Sequence, residues 1–184
     1  IPMADIASQL FSIGALGLAW RAATHPRSSP RRIAFAALAG IALGMAFNIR
    51  YTQVLIAPAL AFVLLYAPDD TSPRPRITRS LRDAAFWLLP IAALLAVLPT
   101  FIYHWTWFGH PFMTGSEELG NFSLARMPET LLRTLGEWNW YREYGMLSPL
   151  IVIGIVALWR ASRRMFVTLA LYFAPVFALH VFYD

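Results

Sequence analysis

"IAFAALAGIALGMAFNIRYTQVLIAPALAFVLLYAP", residues 33–68, holds a single charged side chain, Arg50, in 36 positions. A helix crosses the hydrocarbon of a bilayer with roughly 20 apolar residues, so this stretch reads as two spanning helices with Arg50 in the turn between them. No alternation of apolar and polar residues argues for strands. A soluble bundle would carry charges along its outward faces, and here there are none to carry.

Working outward, the same pattern recurs over residues 5–20, 33–48, 51–67, 84–103, 145–159 and 165–183. We therefore expect an all-α, polytopic integral membrane protein of about six transmembrane helices forming a single membrane domain over 1–184. Pro58, Pro90 and Pro175 fall inside these runs, where neighbouring helices tolerate a kink. The hydrophobic fraction is 58%, above the roughly 45–50% of soluble domains. A lone signal peptide does not repeat.

All 15 basic residues are arginine, against 10 acidic ones. They come in bursts between the apolar runs rather than on one face, which excludes a nucleic-acid patch. Arg21, Arg27, Arg31 and Arg32 follow the first run, Arg74, Arg76, Arg79 and Arg82 the third, and Arg160, Arg163 and Arg164 the fifth. By the positive-inside rule these loops are cytoplasmic. Asp5, Arg50, residues 104–144 and Asp184 then share the outer side, with 104–144 as an extracytoplasmic loop. With no cysteine in the chain there is no disulfide or thiolate chemistry. Abundant alanine and arginine without lysine fit a GC-rich bacterial genome, hence a multi-pass protein of the inner membrane and cell envelope. The chain opens on Ile1 in mid-pattern, and the expectation is a fragment of a larger protein.

The outer loop is rich in rings. Phe101, Tyr103, Trp105, Trp107, Phe108 and Phe112 follow the fourth run, and Trp138, Trp140, Tyr141 and Tyr144 precede the fifth. Both clusters suit the headgroup layer. Between them "MPETLLRTLGEWNWY" (127–141) puts Met127, Leu131, Leu135 and Trp138 on one stripe, opposite Glu129, Arg133 and Glu137, with Pro128 at a first helical position. That is the pattern of an interfacial helix. His104 and His110 are six residues apart, followed by Glu117 and Glu118, which is not a zinc-site spacing; no metal is expected. His180 reads as a packed side chain, and the Asn121-Phe122-Ser123 sequon is discounted.

Two charges carry two readings each. Asp5 is either a helix-start aspartate stabilised by first-turn amides or a carboxylate facing a polar cavity. Arg50 either snorkels to headgroups or grips an anion such as phosphate, whose geometry the guanidinium matches. Nucleophile triads and phosphate-cradling glycine loops are absent. "GIALG" and "SIGALG" are small-residue patterns for close helix packing.

Taken in order, these features resemble the family 39 type of membrane glycosyltransferases, the dolichyl-phosphate-mannose-protein mannosyltransferase-like enzymes. "PMADIASQLFSIGALGLAWRA" is similar to a span opened by an acidic residue and closed by a basic loop. "GMAFNIRYTQVLIAPAL" is similar to a turn of the form G-x-A-x-x-x-R/K … L-x-x-P, with Arg50 and Pro58 in place. "LPTFIYHWTWFGHPFMTGSEELGNF" matches a P-x-x-x-Y-N-x-x-x-F-G-x-P-x-x-T-G-Y exit at Pro99, Tyr103, Phe108, Gly109, Pro111, Thr114 and Gly115. His104 replaces the usual asparagine and Ser116 the usual tyrosine.

The resemblance implies a GT-C fold and transfer of a sugar from a polyprenyl-phosphate donor to a protein, lipid or glycan acceptor on the extracytoplasmic face. No further cofactor is implied. The catalytic residue, an aspartate base in the first outer loop, would lie upstream of Ile1. Asp5, Arg50, Tyr103, His104, Glu117 and Glu118 are the substrate-binding candidates. Inverting transfer needs a carboxylate to take the acceptor's proton and a cation for the departing phosphate, and Arg50 suits the second role. The rival reading is a membrane transporter or flippase subunit, whose permeation path would also use polar groups at helix ends.

Overall fold

A computed structural model of the chain describes residues 2–66, 81–112, 128–132 and 148–182, with residues 2–5, 148 and 180–182 described as backbone only. Every regular element among them is helical, as expected. The chain divides into two compact units, Ile1–Thr114 and Gly115–Asp184, taken separately below.

In the first unit α1 (Pro2–Thr24) is followed by α2 (Pro30–Ile49), a 3-10 helix (Tyr51–Ile56), α3 (Ala57–Leu65) and α4 (Ala84–Phe108). The helix α2 is central, packed on α1 on one side and α4 on the other. It runs antiparallel to α1, since the side chain of Arg32 at its start reaches the carbonyl of Ala22 near the end of α1. It runs parallel to α4, since Arg32 meets Asp83 at one end and Asn48 meets Ala96 towards the other.

Small residues make the interface. α1 buries Ser8, Ser12, Ala15, Ala19 and Ala22, a spacing of three and four that keeps one face inward. α2 answers with Ala36, Ala39, Gly40, Leu43, Gly44 and Ala46. A side chain at Gly40 would collide with the Leu89 carbonyl and stand 2.9 Å from the Ala92 Cβ; one at Gly44 would stand 2.6 Å from the Ala96 Cβ. The backbones of α2 and α4 approach closely because nothing projects between them. The large apolar side chains point outward instead: Ile6, Leu10 and Ile13 on α1, Trp87, Leu94 and Leu95 on α4 are between 51% and 71% exposed.

Among the described residues two helices, Pro30–Ile49 of 20 residues and Ala84–Phe108 of 25, are long and apolar enough to cross a membrane. Six were expected, and the described residues bear out two such helices. The third run is not one α-helix: Pro58 sits in the first turn of α3 without an N–H to donate, and residues 51–56 wind as a 3-10 helix. Together those two pieces reach about 25 Å, short of a hydrocarbon core of about 30 Å.

The second unit contains a helical turn at 128–132, then α5 (Ser148–Ala161) and α6 (Arg163–Phe182). α5 has 14 residues, and α6 opens on Arg163 and Arg164. The arginine-bearing loop expected between them is one residue, Ser162, whose N–H bonds to Leu158 O at 2.8 Å while its own carbonyl accepts from Phe166 N at 2.9 Å. Its hydroxyl accepts from Met165 N at 3.2 Å, as an N-cap does. Antiparallel helices are joined by about two to five residues, more than Ser162 alone provides. Arg163 stacks over Trp159 at 5.3 Å. The expected interfacial helix over 127–141 is helical at 128–132, and its other residues lie outside the described ones.

Candidate functional site

The start of α1, the end of α2 and the end of α4 come together at one end of the first unit, and this end holds most of the candidate residues. α2 stops at Ile49. Arg50 follows in extended conformation, with φ −145° and ψ 110°; its N–H closes on Ala46 O at 2.9 Å and its carbonyl accepts from Gln53 N at 3.0 Å. One residue thus turns the chain, and the Arg50 side chain is exposed at the rim.

Below Arg50 lie a buried and a part-buried polar contact. Ser12 Oγ donates to Gln53 Oε1 at 2.7 Å, both side chains being buried, which ties α1 to the 3-10 helix. Asn48 Nδ2 donates to Ala96 O at 3.0 Å. That carbonyl lies three residues before Pro99, where a proline inside α4 disturbs the preceding turn. The amide of Asn48 therefore steadies α4 next to its irregularity, while Asn48 Oδ1 is buried without a hydrogen-bond partner.

Asp5 lies on α1 (Pro2–Thr24). Its register along α1, antiparallel to α2, sets it level with the end of α2.

α4 runs about 10 Å beyond the end of α2, and this projection is the aromatic exit. Gly109 ends it at φ 72° with its N–H on Trp105 O at 3.0 Å; a left-handed residue there satisfies an orphan carbonyl at little steric cost to glycine. Pro111 then prevents continuation. The turn folds back so that His104 Nδ1 donates to Pro111 O at 3.3 Å, and His110 Nδ1 accepts from Phe112 N at 3.3 Å. Each histidine is occupied by its own turn. Tyr103 is 54% exposed and stacks loosely with His104 and Trp107 at 5.8 and 6.2 Å. Phe101, Ile102, Trp105, Thr106 and Pro111 line an open, apolar notch of about 230 Å³.

The structure thus brings Arg50 and the backbone position of Asp5 to one level and sets Tyr103 and His104 on the projection above it. Glu117 and Glu118 lie outside the described residues. No group of three or more His, Cys, Asp or Glu suited to a metal ion occurs among the described residues. Chemically, this end offers an exposed guanidinium, neutral hydrogen-bonding groups and an apolar wall.

The opposite end holds a contact the sequence reading missed. Arg32, 1% exposed, was placed in a solvated arginine loop. Its Nε and Nη2 bond to Asp83 Oδ2 at 3.0 and 2.6 Å, and its Nη1 donates to Ala22 O and His25 O at 3.1 and 3.2 Å. Asp83 Oδ1 caps α4 by accepting from Ala85 N at 3.0 Å. The signal was available: Asp83 stands directly before an apolar run, in an N-cap position. Asn48 was also missed, as an isolated amide at a span end gives no pattern.

No family model, no curated protein and no solved structure matches this chain.

Proposed function

We propose that this chain is the membrane-embedded helical part of a multi-pass glycosyltransferase, which takes a sugar from a polyprenyl-phosphate donor at the extracytoplasmic face of a bacterial inner membrane and passes it to a protein, lipid or glycan acceptor. The membrane reading is supported by the surface of the first unit, where Ile6, Leu10, Ile13, Trp87, Leu94 and Leu95 are exposed around interfaces built largely of alanine, glycine and serine. Large exposed apolar surfaces are costly in water and free of that cost in lipid, where close small-residue interfaces hold helices together. The transferase reading rests on the resemblance of the three motifs. The observation that carries it is the common level of Arg50 and Asp5 beneath the aromatic projection.

In this reading Arg50 stabilises the charge that grows on the donor phosphate as the bond from phosphate oxygen to anomeric carbon breaks. The acceptor hydroxyl forms the new bond to that carbon and gives its proton to a carboxylate supplied by the first outer loop, upstream of Ile1. Asp5, Tyr103, His104, Glu117 and Glu118 contact donor or acceptor. The buried Ser12–Gln53 bond closes the seam between α1 and the 3-10 helix, which disfavours a transporter or flippase path along it.

The test is sugar transfer from a polyprenyl-phosphate donor in membranes carrying the protein. Arg50→Ala is expected to lower the rate about a hundredfold, the scale of losing a charge-stabilising donor, and Arg50→Lys to lower it less. Undiminished transfer by both Arg50→Ala and Asp5→Ala removes the site assignment.

A further inference from the structure

The end of the first unit remote from Arg50 carries three exposed guanidiniums around the buried one. Arg21 precedes Ala22, Arg31 precedes Arg32, and Arg82 precedes Asp83, so each is one residue from an atom group of the Arg32 contact. All three are exposed. Asp83 cannot neutralise them, because its Oδ2 is taken by Arg32 and its Oδ1 by the α4 cap. Arg21, Arg31 and Arg82 have no acidic partner among the described residues. Arg31 also stands in the first turn of α2 with no acidic residue beside it, where the helix's own positive end adds to the repulsion.

Directly against these charges the surface is apolar. Ile33, Leu81 and Trp87 are 39%, 42% and 51% exposed, and Trp87 Nε1 donates to Leu81 O at 2.7 Å, which leaves the ring itself to face outward. A partner that satisfies both features must present anions at one level and hydrocarbon at the next. A nucleic acid would leave the apolar collar in water, and a free phosphate would leave it uncovered. We infer that this end binds anionic phospholipid headgroups through Arg21, Arg31 and Arg82, with Ile33, Leu81 and Trp87 against the upper acyl chains. The inference rests on the membrane reading above and is independent of sugar transfer.

The protein, reconstituted into phosphatidylcholine vesicles at low ionic strength, is probed with spin-labelled phosphatidylglycerol and spin-labelled phosphatidylcholine, and their relative association constants are measured. The protein is expected to favour phosphatidylglycerol, and the triple variant Arg21→Gln, Arg31→Gln, Arg82→Gln to lose roughly tenfold or more of that preference. The triple Arg→Lys variant, which keeps the charge, is expected to retain it. An unchanged preference in the Gln variant, an equal loss in the Lys variant, or no preference in the unaltered protein overturns the inference while leaving the membrane reading standing. A chain that stays in solution without entering vesicles overturns both.

Discussion

Arg32 shows how one side chain can fix the ends of three helices. Its guanidinium spans Asp83 and the carbonyls of Ala22 and His25, which fills its donors on the sides that face protein. Removing one member of such a buried pair strands the other. Arg32→Met is therefore expected to destabilise the first unit by about 3–5 kcal/mol, whereas Arg32→Met combined with Asp83→Leu recovers much of that loss; thermal unfolding of both variants in detergent checks it. Equal stability of the single and double variants would contradict the account. At the other end, Gly109→Ala forces a Cβ into a left-handed backbone at φ 72°. A cost of about 1 kcal/mol is expected, read as fraying of the last turn of α4 by amide exchange.

Among the elements, α2 decides the packing. Its Gly40 and Gly44 lie against the α4 backbone, and no rotamer can clear a backbone. Gly44→Leu is expected to separate α2 from α4 and break the Asn48–Ala96 bond, measured as lost helix-pair crosslinking and a lower unfolding temperature. Gly14→Leu, on an open face of α1, is expected to leave both unchanged. The helices were legible because apolar runs are long and because small residues recur at helical spacing. Legibility failed where one residue overrides a run. Pro58 split the third span into 3-10 and α pieces, Ser162 reduced an arginine loop to a single residue, and Arg32 left its loop for the interior. Arginine-rich connections were read by composition, and composition does not say which arginine has an aspartate waiting across the fold. Around the candidate site the reading placed Arg50 in the turn and Gly109-x-Pro111 at a helix exit, since both follow from local chemistry. It missed Asn48, whose role depends on a proline 51 positions away in sequence.

At the scale of the molecule, the first unit is polar at both ends, small-residue in its middle and apolar on its surface. In the membrane reading proposed above, a bilayer is the medium that this arrangement needs, with Arg50 and the aromatic exit at one face and the arginines around Arg32 at the other. The sequence contains no cysteine, so single cysteines report position without background. The decisive measurement is labelling of Arg50→Cys, His110→Cys and Ser28→Cys, each introduced alone, by a membrane-impermeant maleimide in sealed vesicles of known orientation. The account predicts that Arg50→Cys and His110→Cys react from one face and Ser28→Cys only from the other. Reaction of all three from the same face, or of Arg50→Cys and His110→Cys from opposite faces, would contradict it.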